Sequence, residues 1–318
     1  MKILIIAKRF SNIDVNNDLN IYQDGIRIKK ELERQKHKVR ILFYDSNIKE
    51  FRRCYSDFCP DFILQTGMGR GFDVLKELKS LGTKLVMWYP DAYWLSQESR
   101  KPKFLKAFDV FDLILTTMKG HVKVAKPYTN KVVYCSHYFD NTFYKSNKKF
   151  QKIHDVVFVG NKTNPSPQRE EYLKSVIDQG YDLRIIGWGF KHFGGFINYD
   201  GELITDYYKS SKIGLNIISG GELDYDLQFS VRVYQVMGCG CFLLTEYIPS
   251  IEKMFVPGKH LDVFHTKEEM LEKIDYYLKH PEIREKIAKQ GQKKIFDKYT
   301  IDIVVKQYLK IIREKLEL

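Results

Sequence analysis

The chain has 318 residues, 44% hydrophobic and 29% charged, a balance ordinary for a globular protein with one large or two ordinary cores. Its formal charge of +12 suits an anionic partner, whether a phosphorylated ligand, a nucleic acid or an anionic membrane surface, without choosing among them. The five cysteines (Cys54, Cys59, Cys135, Cys239, Cys241) are odd in number and lack paired spacing, which argues against a disulfide framework and fits reduced thiols in the cytoplasm.

Met1–Arg9 holds an apolar run too short for a secretion signal. No stretch approaches the ~20 apolar residues of a membrane helix, so a soluble protein is expected. Lys2–Ala7 (KILIIA) reads as a first buried strand, followed by a polar loop and a helix over about Leu19–Gln35, then a strand at Lys38–Tyr44. That spacing is the length of a strand–helix–strand crossover. The alternation continues with strands at Phe62–Gln65, Lys84–Trp88, Asp112–Leu115 and Lys131–Cys135 and a helix at Phe72–Leu81. No Gly-x-Gly-x-x-Gly follows the first strand, which speaks against a plain dinucleotide enzyme. Polar residues gather where these strands end, among them Asp45, Thr66–Arg70, Asp91, Thr116-Thr117 and His137, and the carboxyl ends of parallel strands are where a site is built.

Cys135–Asp155 is polar, aromatic and basic without sustained periodicity and reads as an interdomain linker. Alternation then restarts, with strands at Val156–Val159, Leu183–Ile186 and Ile213–Ile217 and helices at Gln168–Gln179 and Leu203–Lys209. Residues 229–247 read as a helix, a glycine break at Gly238 and Gly240, and a buried strand from Cys241 that ends in the polar Thr245-Glu246. A helix carrying Ser230, Arg232 and Gln235 would therefore face the same crevice as Thr245 and Glu246. Val263–Phe264 reads as a last short strand, and Lys267–Leu278, Pro281–Phe296 and Ile301–Glu317 as amphipathic helices.

The run SVRVYQVMGCGCFLLTEYIPSIEKMFVPGKHL resembles the core of the CgeB-like (spore-maturation) glycosyltransferases, whose usual form is Arg-x-Phe/Tyr-Glu-x-Met-x-x-Gly, a strand, a Thr-Asp/Glu turn and a Pro-Gly-Lys-His segment. DVVFVGN, RIIGWG, YYKSSKIGLNI and HPEIREKIAKQGQ extend the likeness over roughly residues 154–300, while the first half matches weakly. The resemblance implies the GT-B architecture: two Rossmann-like, doubly wound parallel-sheet domains. Residues 1–148 would be the acceptor-side domain, 149–300 the nucleotide-sugar domain, and 301–318 a helix returning to the first.

It also implies the chemistry. A UDP-, GDP- or TDP-sugar would serve as donor substrate with no permanently bound cofactor, and an unknown acceptor would receive the sugar. No nucleic-acid partner is expected, and the charge leaves room for peripheral contact with an anionic membrane. The donor's diphosphate needs positive charge and backbone N–H groups, for which Gly160, Asn161, Lys162, Arg169 and Arg232 are suited. The nucleobase would lie near Gly187 and Trp188, and backbone groups of Thr245–Tyr247 would meet phosphate or sugar, with Glu246 on sugar hydroxyls. Gln235 stands where the family carries a ribose-binding glutamate, so it would hold a ribose edge less strongly.

For an inverting reaction the general base would be Asp91, with His121 or His137 as substitutes. No metal is expected. The Asp-x-Asp at Asp224–Asp226 reads as chance acidic loop residues rather than as a metal motif. The competing readings are a GT-B-like sugar-nucleotide epimerase, which would need catalytic carboxylates in the cleft, a binding protein without turnover, and a basic nucleic-acid or membrane-surface protein.

Overall fold

The computed structural model describes residues 1–8, 24–67, 72–90, 101–145, 148–162, 167–197, 200–218 and 230–318. The chain forms two compact units, Met1–Ser136 with Ile301–Leu318, and His137–Thr300.

The first unit is built on six strands, β1 (Lys2–Ala7), β2 (Lys38–Phe43), β3 (Phe62–Thr66), β4 (Lys84–Tyr89), β5 (Leu113–Thr116) and β6 (Val132–Tyr134), in the order β2-β1-β3-β4-β5-β6. Every pairing is parallel, with Ile5 opposite Ile41 on one side and Leu64 on the other. Its strands are apolar runs because helices cover the sheet. These are α1 (Asp24–Arg34), α2 (Ile48–Phe58), α3 (Phe72–Ser80), α4 (Lys101–Val110) and α5 (Lys119–Ala125). Leu4, Ile63, Leu85, Met87, Phe111 and Ile114 lie in its core. The sequence reading had no counterpart for α2, α4 or α5, although α2 opens on a capping box between Asn47 and Glu50.

The last helix of the chain, α11 (Ile301–Leu316), belongs to this unit and buries Val304, Val305, Tyr308, Leu309, Ile312 and Leu316 on one face. Its Tyr308 hydroxyl donates to the Ser136 carbonyl at 2.7 Å and accepts from the Trp88 indole at 3.2 Å. One side chain thereby joins β4, α11 and the exit of β6.

In the second unit, β7 (His154–Val159), β8 (Leu183–Ile186), β9 (Ser211–Asn216), β10 (Phe242–Glu246) and β11 (Asp262–Phe264) form a parallel sheet in the order β11-β10-β9-β7-β8. The helices are α6 (Pro167–Asp178), α7 (Gly201–Ser210), α8 (Val231–Gly238), α9 (Lys267–Lys279) and α10 (Pro281–Lys298). Val156, Phe158, Leu215, Phe242, Leu244 and Ile274 are among its core residues. Numbered from β7, the strands run 2-1-3-4-5, so the direction of winding reverses between β7 and β9. A crevice opens at such a switch point, outside the carboxyl ends of the strands.

The segment read as a linker behaves differently in its first part. His137–Tyr144, placed in the first domain by a boundary at 148, packs within the second unit. Phe139 is fully buried against Gly238 and lies 5.8 Å from the Phe296 ring, and Asp140 accepts from the backbone of Thr142 and Phe143. Its aromatic residues supply the apolar area that lets a non-periodic stretch pack.

Candidate functional site

The polar residues of the second unit converge at its switch point. Arg232, in the first turn of α8, reaches across it. Its Nε donates to the Val159 carbonyl at the end of β7, and its Nη1 donates to the Asn216 side chain at the end of β9. The same guanidinium lies over the Phe158 ring, 4.9 Å from its centre. Gly160 makes the approach possible, since a Cβ there would overlap Arg232 Nη2. Ser230 caps α8, its hydroxyl accepting from the Arg232 amide at 3.2 Å.

Arg169 approaches the same ring from α6, its guanidinium 5.5 Å from the Phe158 centre. It is 5% exposed, so it does not lie on a solvated helix face. Nη1 donates to the Asn161 carbonyl at 2.7 Å and Nη2 to the Ile217 carbonyl at 2.9 Å. It therefore ties the segment after β7 to the segment after β9. The acceptors in these bonds are carbonyl and amide oxygens, and they fix the orientation of both guanidinium groups.

Glu246 departs from its expected place. It lies inside β10 at 3% exposure, and its two oxygens accept from Gln168 Nε2 and from the Ile218 amide, each at 2.8 Å. Burial raises its pKa, with those hydrogen bonds and the Arg169 charge pulling the other way. Thr245 is fully buried, its hydroxyl accepting from Asn216 Nδ2 at 2.8 Å. The side chains of both residues are turned into the network beneath the site rather than out of it. Asn216 joins Thr245 to Arg232, a role that sequence reasoning missed although a polar residue ending the buried run KIGLN was visible.

Asn161, Lys162, Gly187 and Trp188 form the opposite rim. Asn161 Oδ1 accepts from the Trp188 amide, and the Lys162 amide donates to the Trp188 carbonyl, each at 2.8 Å. Gly187 is needed here because a Cβ would run into the Gly160 carbonyl. The Trp188 ring is left 58% exposed. Lys162 pairs with Glu170 at 2.5 Å and holds that carboxyl below its usual range.

Other expected residues lie elsewhere in the unit. Gln235 is buried, and its amide donates to the Tyr144 hydroxyl. Tyr247 packs on His265 with ring centres 4.5 Å apart. His137 is buried with its ring 5.9 Å from that of Tyr234. In the first unit His121 is fully buried, 2.7 Å from the Thr116 hydroxyl. Asp91 and Asp224–Asp226 lie outside the described residues. Among the described residues no group of three or more His, Cys, Asp or Glu could hold a metal ion, and no helix is long and apolar enough to cross a membrane.

Residues 168–310 match the model of a glycosyl transferase-like family. No curated protein sequence matches the chain. Solved structures match it over nearly its whole length. A sucrose-phosphate synthase from Thermosynechococcus elongatus superposes with a TM-score of 0.73 at 9% identity, covering 99% of both chains. Anabaena HepE in complex with UDP and glucose gives 0.67 at 10% identity, over 99% of this chain and 100% of that one. An alpha-glucosyltransferase in complex with UDP-glucose and DNA containing an abasic site gives 0.68 at 10%, over 98% and 99%. Two helix-flanked parallel sheets and this likeness to solved glycosyltransferases show the GT-B fold, and the stretch that resembles the glycosyl transferase-like family includes the switch-point arginines and Glu246.

Proposed function

We propose that the protein transfers a sugar from a nucleoside diphosphate sugar to an acceptor hydroxyl, without a metal ion, and that it is of the CgeB-like type. The observation that carries this reading is the pair of guanidinium groups on Phe158 at the β7/β9 switch point, oriented by oxygens of Val159, Asn161, Asn216 and Ile217. A diphosphate leaving group gains negative charge as the glycosidic bond breaks. Fixed positive charge and a helix N-terminus stabilise it more in the transition state than in the ground state.

Within this reading Arg232 and the backbone of Gly160, Asn161 and Lys162 meet the diphosphate, and Arg169 holds the two strand ends in place. Trp188 offers its exposed face to the base, and backbone groups of Thr245–Tyr247 face phosphate or sugar. Glu246 acts as a positioning residue through Ile218 and Gln168. Asp91 is the proposed general base, ahead of His137, whose ring is packed on Tyr234. UDP is the first nucleotide to test because HepE and the alpha-glucosyltransferase were crystallised with UDP or UDP-glucose. Glycan, protein and lipid-linked acceptors fit the reading equally, and the proposed setting is the cytoplasm.

A thermal-shift screen against UDP, GDP, TDP, CDP and ADP, with RNA as a control, tests it. A ligand at 100 times its Kd adds about 2.7 kcal/mol to stability. A shift with one diphosphate that Arg232→Ala removes supports the donor site; a shift with RNA alone overturns it. Gln235, bonded to Tyr144 where the family has a carboxylate, favours a second reading in which the site binds donor without turnover. Hydrolysis of the donor in the absence of acceptor decides against that alternative.

A further inference from the structure

The first unit carries a second cationic feature, built from α11 and the turn that follows α1. Lys306, Lys310 and Arg313 stand at helical spacing on one face of α11, and with Gln35, His37, Leu309 and Glu314 they line a cavity of about 420 Å³. The turn is fixed. Lys36 adopts a left-handed conformation at φ 68°, and the His37 amide bonds back to the Leu32 carbonyl at 3.0 Å. Gln35 donates to the Asp302 carbonyl at 3.1 Å, fastening the turn to the start of α11. His37 is thus held against the helix rather than free on a loop.

Charge in the cavity is unbalanced. Glu314 lies 3.8 Å from Lys310, and among the described residues Lys306 and Arg313 form no ion pair. Elsewhere on the surface lysines find carboxylates at i,i+4 spacing, as Lys29 does with Glu33 and Lys293 with Asp297. The His37 ring also faces the Met1 amino group at 3.2 Å, and burial together with these positive neighbours, Arg313 included, depresses its pKa. Three side-chain cations and one carboxylate line a cavity whose imidazole already faces the Met1 amino group, and that surplus of positive charge favours an anion.

We infer that this cavity binds a phosphate group, as free phosphate, a phosphorylated metabolite or a lipid headgroup. A dianion there pairs with Lys306, Lys310 and Arg313 and accepts from His37 once that ring is protonated. The Arg313 fork supplies two parallel donors and the lysines supply point charges. The site involves none of the donor-site residues, so it stands or falls apart from the proposed transfer reaction.

The test uses the full chain and follows the histidine ring carbon-bound protons by NMR, with the His37 signal assigned from a His37→Gln variant. Inorganic phosphate is titrated against sodium chloride at matched ionic strength. The expected result is a saturable shift of the His37 signal and an upward move of its titration midpoint, with affinity about tenfold weaker in a Lys310→Ala/Arg313→Ala double variant. Lys310 and Arg313 are exposed, and an unchanged melting temperature of the double variant verifies the fold. A linear drift equal to that in chloride, or undiminished affinity in the double variant, overturns the site. Sedimentation with phosphatidylcholine vesicles containing phosphatidic acid then separates the sources. Pelleting that the double variant abolishes assigns a lipid headgroup; phosphate saturation without pelleting assigns a soluble phosphate.

Discussion

Arg169 Nη2 donates to the Ile217 carbonyl at 2.9 Å, and through Nη1 the same guanidinium holds the Asn161 carbonyl at 2.7 Å. One buried side chain thereby sets the distance between the ends of β7 and β9, the two strands that flank the switch point. The site depends on that spacing, because Arg232 spans the same two strands.

Arg169→Lys retains the charge but replaces a planar fork with a single ammonium, which cannot serve both carbonyls with the same geometry. Each hydrogen bond from a charged group contributes roughly 1.5–3 kcal/mol. We expect a stability loss of about 2 kcal/mol in urea denaturation and weaker binding of whichever nucleotide shifts the wild type. Wild-type stability in Arg169→Lys would show that the tether is dispensable.

Arg232 and Asn216 form one unit, with Asn216 joined onward to Thr245. Arg232→Ala should weaken nucleotide binding at least about tenfold, the equivalent of 1.4 kcal/mol. Because Asn216 acts by orienting Arg232, Asn216→Ala should add little in the Arg232→Ala background. A double-mutant cycle measured by calorimetry with the active nucleotide gives the coupling, and strict additivity would separate the two residues.

Glu246 predicts a pH dependence. Its folded-state pKa is raised by burial, so the native protein binds its proton more tightly than the unfolded chain does. That contribution is present at acid pH, below the unfolded value, and is lost as pH rises through the folded pKa. Gln at this position has no such titration. The melting temperature of Glu246→Gln relative to wild type should therefore climb between pH 4 and 7; a constant difference across that range would mean that folding does not raise the proton affinity of this carboxylate.

Tyr208 is fully buried on α7, and its hydroxyl has no hydrogen-bond partner among the described residues. An unsatisfied buried polar group costs about 1–3 kcal/mol. Tyr208→Phe leaves the ring in place and removes that cost, so it should raise stability by about 1 kcal/mol in a urea titration. A loss of stability would reveal a buried water bonded to the hydroxyl.

Much of this molecule was legible in the chain itself. Apolar runs such as KILIIA and LILT mark strands covered on both faces, and their alternation with helical periodicity dictates parallel sheets. Gly160 and Gly187 are marked by their places directly after the strands DVVFV and RII, and Arg232 as a cation on the helix before the glycine break. These features are local, so composition and spacing carry them. α2 carries a local signal of the same kind in its Asn47–Glu50 capping box.

Only the tertiary structure decided which polar groups are used up. Arg169 and Glu246 are polar residues near strand ends in a sequence reading, yet they close on carbonyls and amides contributed by residues 48 and 28 positions away. His137–Tyr144 has no period to reveal that Phe139 and Tyr144 complete the core of the second unit around α8. The cavity over His37 pairs a turn after α1 with a helix some 270 residues later in the chain. Hydrogen-bond and charge partners are chosen by proximity in space, and sequence separation says nothing of it until the sheet order is known.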